Sequence, residues 1–323
     1  MRRFLKLLAV STLSLLFTIA LFYVTIEVPR IVHEILLETF PDWWWPPREE
    51  EKRIIEFLRP IGYAAFASVL ALIFVGFAVG KRYLSALGSA TFYLPIFAHF
   101  AHTMFFLAGI GVLRALWFPL TDISPSVLKL GDSAYAPYLA LAYLFALITG
   151  TSITQVRIML WVAITGNMIL VGLAIFTFGT MTWLYGKFKG LDIIDFWIYR
   201  VSRHPQYLGF LIWSYGLLLF AANFQTSRTT PAPSLPWLIS ALIVVGAALK
   251  EEVELSREYG EKYERYRDRA PFMLPLPRNL AALITAPIQV LRKKRRPEDW
   301  KDITFIITFY GAILILLSIP STL

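Results

Sequence analysis

The chain has 323 residues, of which 57% are hydrophobic and 15% aromatic, and only 16% are charged, against roughly 25% in ordinary soluble domains. It has no cysteine, which excludes disulfides, thiolate metal sites and a cysteine nucleophile. The net charge of +9 is concentrated at Arg2, Arg3 and Lys6 and in the run Arg292–Arg296; in so apolar a chain this marks cytoplasmic loops and anionic lipid headgroups, and gives no reason to invoke nucleic acid.

Several apolar runs reach the ~20 residues that cross a bilayer, so the expected fold class is all-α, a polytopic helical membrane protein. Leu5–Val28 is the first span. Its apolar run is too long for a signal peptide and lacks a small-residue cleavage site, so it is read as retained. Pro29–Pro60 reads as a polar connector, with Ile31–Phe40 along the interface, Trp43-Trp44-Trp45 as an aromatic anchor and Glu49–Arg53 as a solvated helix start. Pro60–Gly80 is a second span. Tyr83–Phe118 is too long for one upright helix and barely long enough for two passes, and Pro95 or Gly109-Ile-Gly111 would kink or break it. Ala134–Ile148 and Ile153–Trp183 follow, joined by the tight turn Thr149–Ser152.

After the polar segment Tyr185–His204 come the spans Pro205–Ala222 and Leu235–Leu249, linked by the loop Gln225–Pro236. Next are a basic amphipathic stretch, Glu251–Arg269, and a final span, Asp302–Ile319. The expectation is seven or eight spans and no soluble domain. The chain divides into N-terminal helices with their connector (1–182), a core that carries the polar motifs (183–275), and a basic linker with a last helix (276–323). The positive-inside rule places Tyr185–His204 and Lys250–Lys301 in the cytoplasm. The basic C-terminal segment is expected to meet anionic headgroups.

Two polar clusters stand at the ends of one out-and-back excursion. The first is Arg203-His204-Pro205-Gln206-Tyr207-Leu208-Gly209. Ionisable groups at the mouth of a membrane helix are expensive and are a functional-site hypothesis by default. Pro205 suits the first helical position, and the unpaired amides of that helix end favour an anion such as a carboxylate. Gly209 lets another backbone or a ligand come close. A plain interfacial Arg/His/Tyr collar is the competing reading. The second cluster is Glu251-Glu252, followed by Tyr259, Tyr263 and Tyr266 at i, i+4, i+7. Adjacent carboxylates need a facing cation where water is scarce: a sulfonium, an amine or the nearby arginines. The tyrosines would share one helix face able to hold a cation or an adenine ring. A headgroup-level amphipathic helix explains them equally well.

Taken together, Arg203-His-Pro-x-Tyr207-x-Gly209, Glu251-Glu252 and Tyr259-Gly260-x-x-Tyr263-x-x-Tyr266-x-x-Arg269-x-Pro271-x-x-x-Pro275 resemble the integral-membrane methyltransferases, which include isoprenylcysteine carboxyl methyltransferase and the phospholipid N-methyltransferases. The resemblance covers about Trp183 to Pro275. It implies an all-helical fold, S-adenosylmethionine in a cytoplasmic pocket and a lipophilic acceptor entering from the bilayer. It also implies that Arg203, His204, Tyr207, Gly209, Glu251, Glu252 and Tyr263 bind the cofactor. Glu252 and Arg269 would be the catalytic pair, with Arg269 on the acceptor's carboxylate. Asp195-Phe-Trp-Ile-Tyr199 departs from the glycine and tyrosine that often precede the motif. Methyl transfer from a sulfonium needs little acid–base help and gains most from holding donor and acceptor in line. No metal is expected: His99 and His102 lie one turn apart but lack a nearby carboxylate or cysteine.

Two other readings remain open. Membrane sterol and steroid reductases carry a similar Arg-His-Pro-x-Tyr-x-Gly segment and bind NADPH; the Glu251-Glu252 pair and the tyrosines favour the methyltransferases. A scaffold or transporter is the other, though the charges cluster at helix ends and not near the bilayer midplane.

Overall fold

A computed structural model of the chain describes residues 2–39, 49–78, 115, 117–224 and 234–321. Among these residues the secondary structure is helical, with no strand. The helices are α1 (Arg2–Leu37), α2 (Glu49–Ala78), α3 (Ala136–Thr149), α4 (Ile153–Lys187), α5 (Pro205–Phe224), α6 (Ser234–Tyr259), α7 (Glu261–Arg269), α8 (Arg278–Arg292) and α9 (Trp300–Ser318). The tryptophan anchor Trp43–Trp45, most of Tyr83–Phe118 with His99 and His102, and most of the loop Gln225–Pro236 fall outside the described residues.

Several expected boundaries move. The first span and the interfacial segment after it are one helix, α1, of 36 residues. At 1.5 Å per residue it is roughly 54 Å long, well beyond the ~30 Å hydrocarbon core. Helix α2 starts at Glu49 and runs through Pro60, so the proline does not open the span. The expected amphipathic stretch Glu251–Arg269 is broken at Gly260, whose φ of +50° lies in the left-handed region that glycine enters without steric cost. Tyr259 therefore ends α6, whereas Tyr263 and Tyr266 belong to α7.

Among the described residues three helical segments are long and apolar enough to cross a membrane: Phe4–Tyr23, Ile153–Lys187 and Trp300–Ser318, only 11–22% buried inside the protein over their most apolar windows. A helix that is apolar all round with so little of it buried is suited to an apolar solvent. Helices α5 and α6 are apolar in another way. Trp213, Leu218, Leu219, Val244 and Ala248 are buried within the protein.

The residues pack as two compact units, each made of three separated stretches. The unit 1–22, 168–214 and 244–308 holds both polar motifs. In it, α4 and α5 touch backbone to backbone: a Cβ at Gly209 would lie 2.6 Å from Phe176 N and 2.7 Å from Gly172 O. Phe22 of α1 closes the contact, edge-on to Phe176 at 5.0 Å and to Trp213 at 4.5 Å. Thr177 Oγ1 donates to Thr18 Oγ1 at 3.1 Å, and Ser11 Oγ reaches Met181 Sδ at 3.2 Å. Small residues and hydroxyls at such contacts suit helix association in lipid, where hydrophobic attraction between helices is absent. Gly209→Ala is therefore expected to force α4 and α5 apart and cost about 1–3 kcal/mol, as overpacking does. The check is thermal unfolding in detergent, with Gly150→Ala, whose added Cβ meets nothing within 4 Å, as a control for strain without crowding.

In the other unit, Ser234 at the start of α6 donates to Asp132 Oδ1 at 2.5 Å. Tyr215 donates to Ala134 O at 3.0 Å, and Trp161 Nε1 to Leu219 O at 2.9 Å. Arg59 pairs with Asp122 at 2.5 Å.

Candidate functional site

Pro205 opens α5, so the loop before it delivers Arg203 and His204 to the helix mouth. Helix α6 continues past its apolar part to Tyr259 and carries Glu251 and Glu252 to the same place. After the Gly260 turn, α7 folds back with Tyr263 and Tyr266 buried against Ile194, Tyr199 and Ala270. The chain then returns along Arg203, whose backbone N–H donates to Pro271 O at 3.0 Å and whose Nη1 donates to Arg267 O at 2.7 Å.

Glu252 is the centre. Its Oε1 lies 3.0 Å from His204 Nε2 and accepts the Tyr263 hydroxyl at 2.8 Å. Arg203 Nε lies 2.9 Å from the same oxygen, an ion-pair distance without hydrogen-bond alignment. The other imidazole nitrogen, His204 Nδ1, is 3.6 Å from Glu251 Oε2. Both ring nitrogens thus face carboxylates, which suits the doubly protonated ring. The formal charges of Arg203, His204, Glu251 and Glu252 then cancel. The cations facing the carboxylate pair are Arg203 and His204. The Glu251 side chain keeps 35% exposure against 6% for Glu252, so Glu251 is the carboxylate open to a ligand.

Burial opposes charge on His204, but the hydrogen bonds and charges of Glu251 and Glu252 outweigh it and raise the His204 pKa above 6.5. Burial likewise pushes Glu252 up, and His204, Arg203 and the Tyr263 hydroxyl overcome it, so its pKa falls below 4.5. Burial, then the Glu252 charge, raises the Tyr263 phenol, which stays a donor. The signs give a stability window. The His204 contribution is complete below pH 6.5, its ordinary value, and is lost as pH rises through the higher folded value. The Glu252 contribution is complete above 4.5 and is lost as pH falls through the lower folded value. The thermal midpoint should therefore be highest between these limits and decline on the alkaline side. His204→Asn should flatten that alkaline decline, and an unchanged decline in the variant would assign it to another group.

The remaining sequence candidates take different places. Tyr207 lies beside His204, with ring centroids 5.7 Å apart. A Cβ at Gly209 would meet the α4 backbone; of the two uses the sequence left open, close backbone approach is the one this geometry carries. Tyr263, expected to present a ring to the cofactor, is 2% exposed and acts through its hydroxyl on Glu252. Arg269 stands apart from the cluster. It is exposed and lines a cavity of about 750 Å³ with Arg200, Lys262, Arg265, Asp192 and Asp195, which does not include Arg203, His204 or Glu252. Four cations face two carboxylates there, and only Lys262 and Asp192 pair across it, at 2.9 Å. Among the described residues no group of three or more His, Asp or Glu is placed to hold a metal ion.

Several contributors were not singled out in the sequence. Phe272 packs on His204 at 5.1 Å and lies under the Arg203 guanidinium. Glu264 accepts from Arg267 at 2.7 Å and Arg296 at 2.6 Å, and also binds Ser256. Arg296 also reaches Asp268, while Arg292 and Lys294 converge on the buried Asp302, each at 2.7 Å. Alternate residues of the basic run therefore turn inward onto acids, and Lys293 and Arg295 face out. The run carries a single sign of charge and gives no local signal for this, because the acids it meets lie up to 32 residues away in sequence. The departure Asp195–Tyr199 also has a local account. Trp197 has φ +52°, a costly conformation for a bulky residue, and it stacks on Tyr185 at 5.1 Å and Phe178 at 6.1 Å.

Residues 138–270 match a family described only as a protein of unknown function (DUF1295). Protein-S-isoprenylcysteine O-methyltransferase of Schizosaccharomyces pombe is 33% identical over 79 residues, covering 24% of this chain and 31% of that protein. The matched stretch thus spans about a third of the length of the curated relative. No solved structure matches significantly. The two matches support a membrane methyltransferase-like family.

Proposed function

We propose that this protein is a multi-pass membrane methyltransferase with seven or eight spans. It uses S-adenosylmethionine at the cytoplasmic face to methylate a lipophilic acceptor, either an isoprenylcysteine-like carboxylate or a lipid headgroup. The observation that carries the reading is the Glu252-centred cluster, in which two cations and two carboxylates meet at the ends of α5 and α6.

The residues fit the cofactor. Arg203 Nε already faces Glu252 at 2.9 Å, but Arg267 Nε is buried without a hydrogen-bond acceptor, and a carboxylate is the complement of such a donor. The first turn of α5 adds unpaired backbone amides. Glu251, partly exposed, suits an amine, a sugar hydroxyl or a positively charged sulfur. The chemistry the cofactor supplies is an electrophilic methyl group on a sulfonium. The chain's part is to hold both partners and exclude water, worth several kcal/mol of the barrier when the reacting atoms are about 3–3.5 Å apart. Glu252 fixes His204, Arg203 and Tyr263, and Arg269 holds the acceptor's anionic end in the basic cavity.

One observation favours the reductase reading: four cations around one cavity also suit the phosphates of a dinucleotide. Turnover separates the readings. Labelled methyl groups are expected to pass from S-adenosylmethionine to an acceptor with an isoprenoid or acyl chain, and not to its chain-free analogue. Equal methylation of the two would remove the reason for acceptor entry from the bilayer.

A further inference from the structure

Helix α8 (Arg278–Arg292) has an apolar face that the rest of the protein leaves open. Leu280, Leu283, Ile284, Val290 and Leu291 are 43%, 69%, 45%, 72% and 57% exposed, whereas Ile288 is buried at 5%. At 100° per residue the five exposed side chains cover an arc of about 120°. Ile288 and Arg292 lie beside that arc, toward the protein, and Thr285 and Gln289 point the opposite way. The helix therefore has three sides: one on the protein, one polar and one apolar and exposed.

Its position along the membrane normal is set by an ion pair. Arg292, the last residue of α8, holds Asp302 Oδ1 through Nη2 at 2.7 Å and Nε at 3.1 Å. Asp302 is fully buried in the first turn of α9, and α9 is one of the candidate membrane spans. Trp300, 55% exposed, marks its start as interfacial tryptophans do. The end of α8 is thus tied to the level at which α9 enters the bilayer.

We infer that α8 lies in the membrane interface, with its Leu280–Leu283–Ile284–Val290–Leu291 face in the acyl-chain boundary and Lys293 and Arg295 directed to the phospholipid headgroups. Such helices bind by apolar area plus attraction to anionic lipid. The inward turn of Arg292, Lys294 and Arg296 leaves the apolar face as the main contributor. Five residues separate Phe272, which packs on His204, from the start of α8, and the intervening Leu274 and Leu276 are also exposed. The rim of the Glu252 cluster is thereby held at the bilayer boundary. This inference needs neither the cofactor nor the acceptor and stands if the methyltransferase reading fails.

The chain has no cysteine, so single spin labels can be attached without a background. Leu283→Cys, Val290→Cys and Gln289→Cys are placed in the full chain in nanodiscs of phosphatidylcholine and phosphatidylglycerol. All three positions are exposed, and far-UV circular dichroism checks that each variant keeps its helices. The labels at 283 and 290 should collide readily with oxygen and hardly with a water-soluble nickel chelate. The label at 289 should show the reverse. Labels at 283 or 290 that are open to the chelate, or shielded from both reagents by another protein surface or a second copy, overturn the inference.

Discussion

Replacing Glu252 with glutamine is expected to destabilise the protein by about 3–5 kcal/mol, the usual cost of removing one partner from a buried ion pair. One carboxylate oxygen faces Arg203, His204 and Tyr263 at 2.8–3.0 Å, so its charge compensates two buried cations. Glutamine keeps the shape but leaves both cations underpaired. In detergent the thermal midpoint should fall by several degrees, and donor binding should fall with it. Glu251→Gln is the contrast. Glu251 is partly exposed and meets His204 only at 3.6 Å. That variant should lose less of its midpoint than Glu252→Gln while losing about 10–100-fold in donor affinity, the worth of one charged hydrogen bond. Equal midpoints for wild type and Glu252→Gln would contradict a structural role for the cluster.

The second large effect is expected at Arg269. Its guanidinium opens into the basic cavity, and no ion pair holds it among the described residues. A planar, always-charged fork matches a carboxylate or phosphate at two points. Arg269→Ala should lower kcat/KM on the lipophilic acceptor about 10–100-fold while donor affinity stays within twofold of wild type. Arg269→Lys should recover part of the loss, because charge returns without the two-point geometry. Full activity in Arg269→Ala would make it a surface arginine facing lipid phosphate.

The helical class was legible from apolar run lengths, and so was the meeting of the two motifs. Arg203-His204 and Glu251-Glu252 bracket one excursion out and back, and helices that return bring their ends together. What escaped was local or distant. The break at Gly260 depends on one backbone angle, and it turns Tyr263 from an open ring into a buried donor to Glu252. Gly209 reads equally as ligand space or helix contact until Gly172 is seen across from it. The basic run looked like a lipid anchor because Asp302, Glu264 and Asp268, which neutralise part of it, are separated from it in sequence. The apolar face of α8 was hidden by Pro287 and by the short length of its pattern. Arg269 was legible as a residue type at a helix end, but its separation from the Glu252 cluster by the body of α7 required the structure.

Calorimetric titration of S-adenosylhomocysteine into the purified protein, with NADPH as the parallel titrant, tests most directly whether the Glu252 cluster is a methyl-donor site. Saturable one-site binding of S-adenosylhomocysteine, weakened in Glu251→Gln, with no heat from NADPH, is the expected result. Saturable binding of NADPH with none of S-adenosylhomocysteine would contradict it and make the four-cation cavity a dinucleotide site.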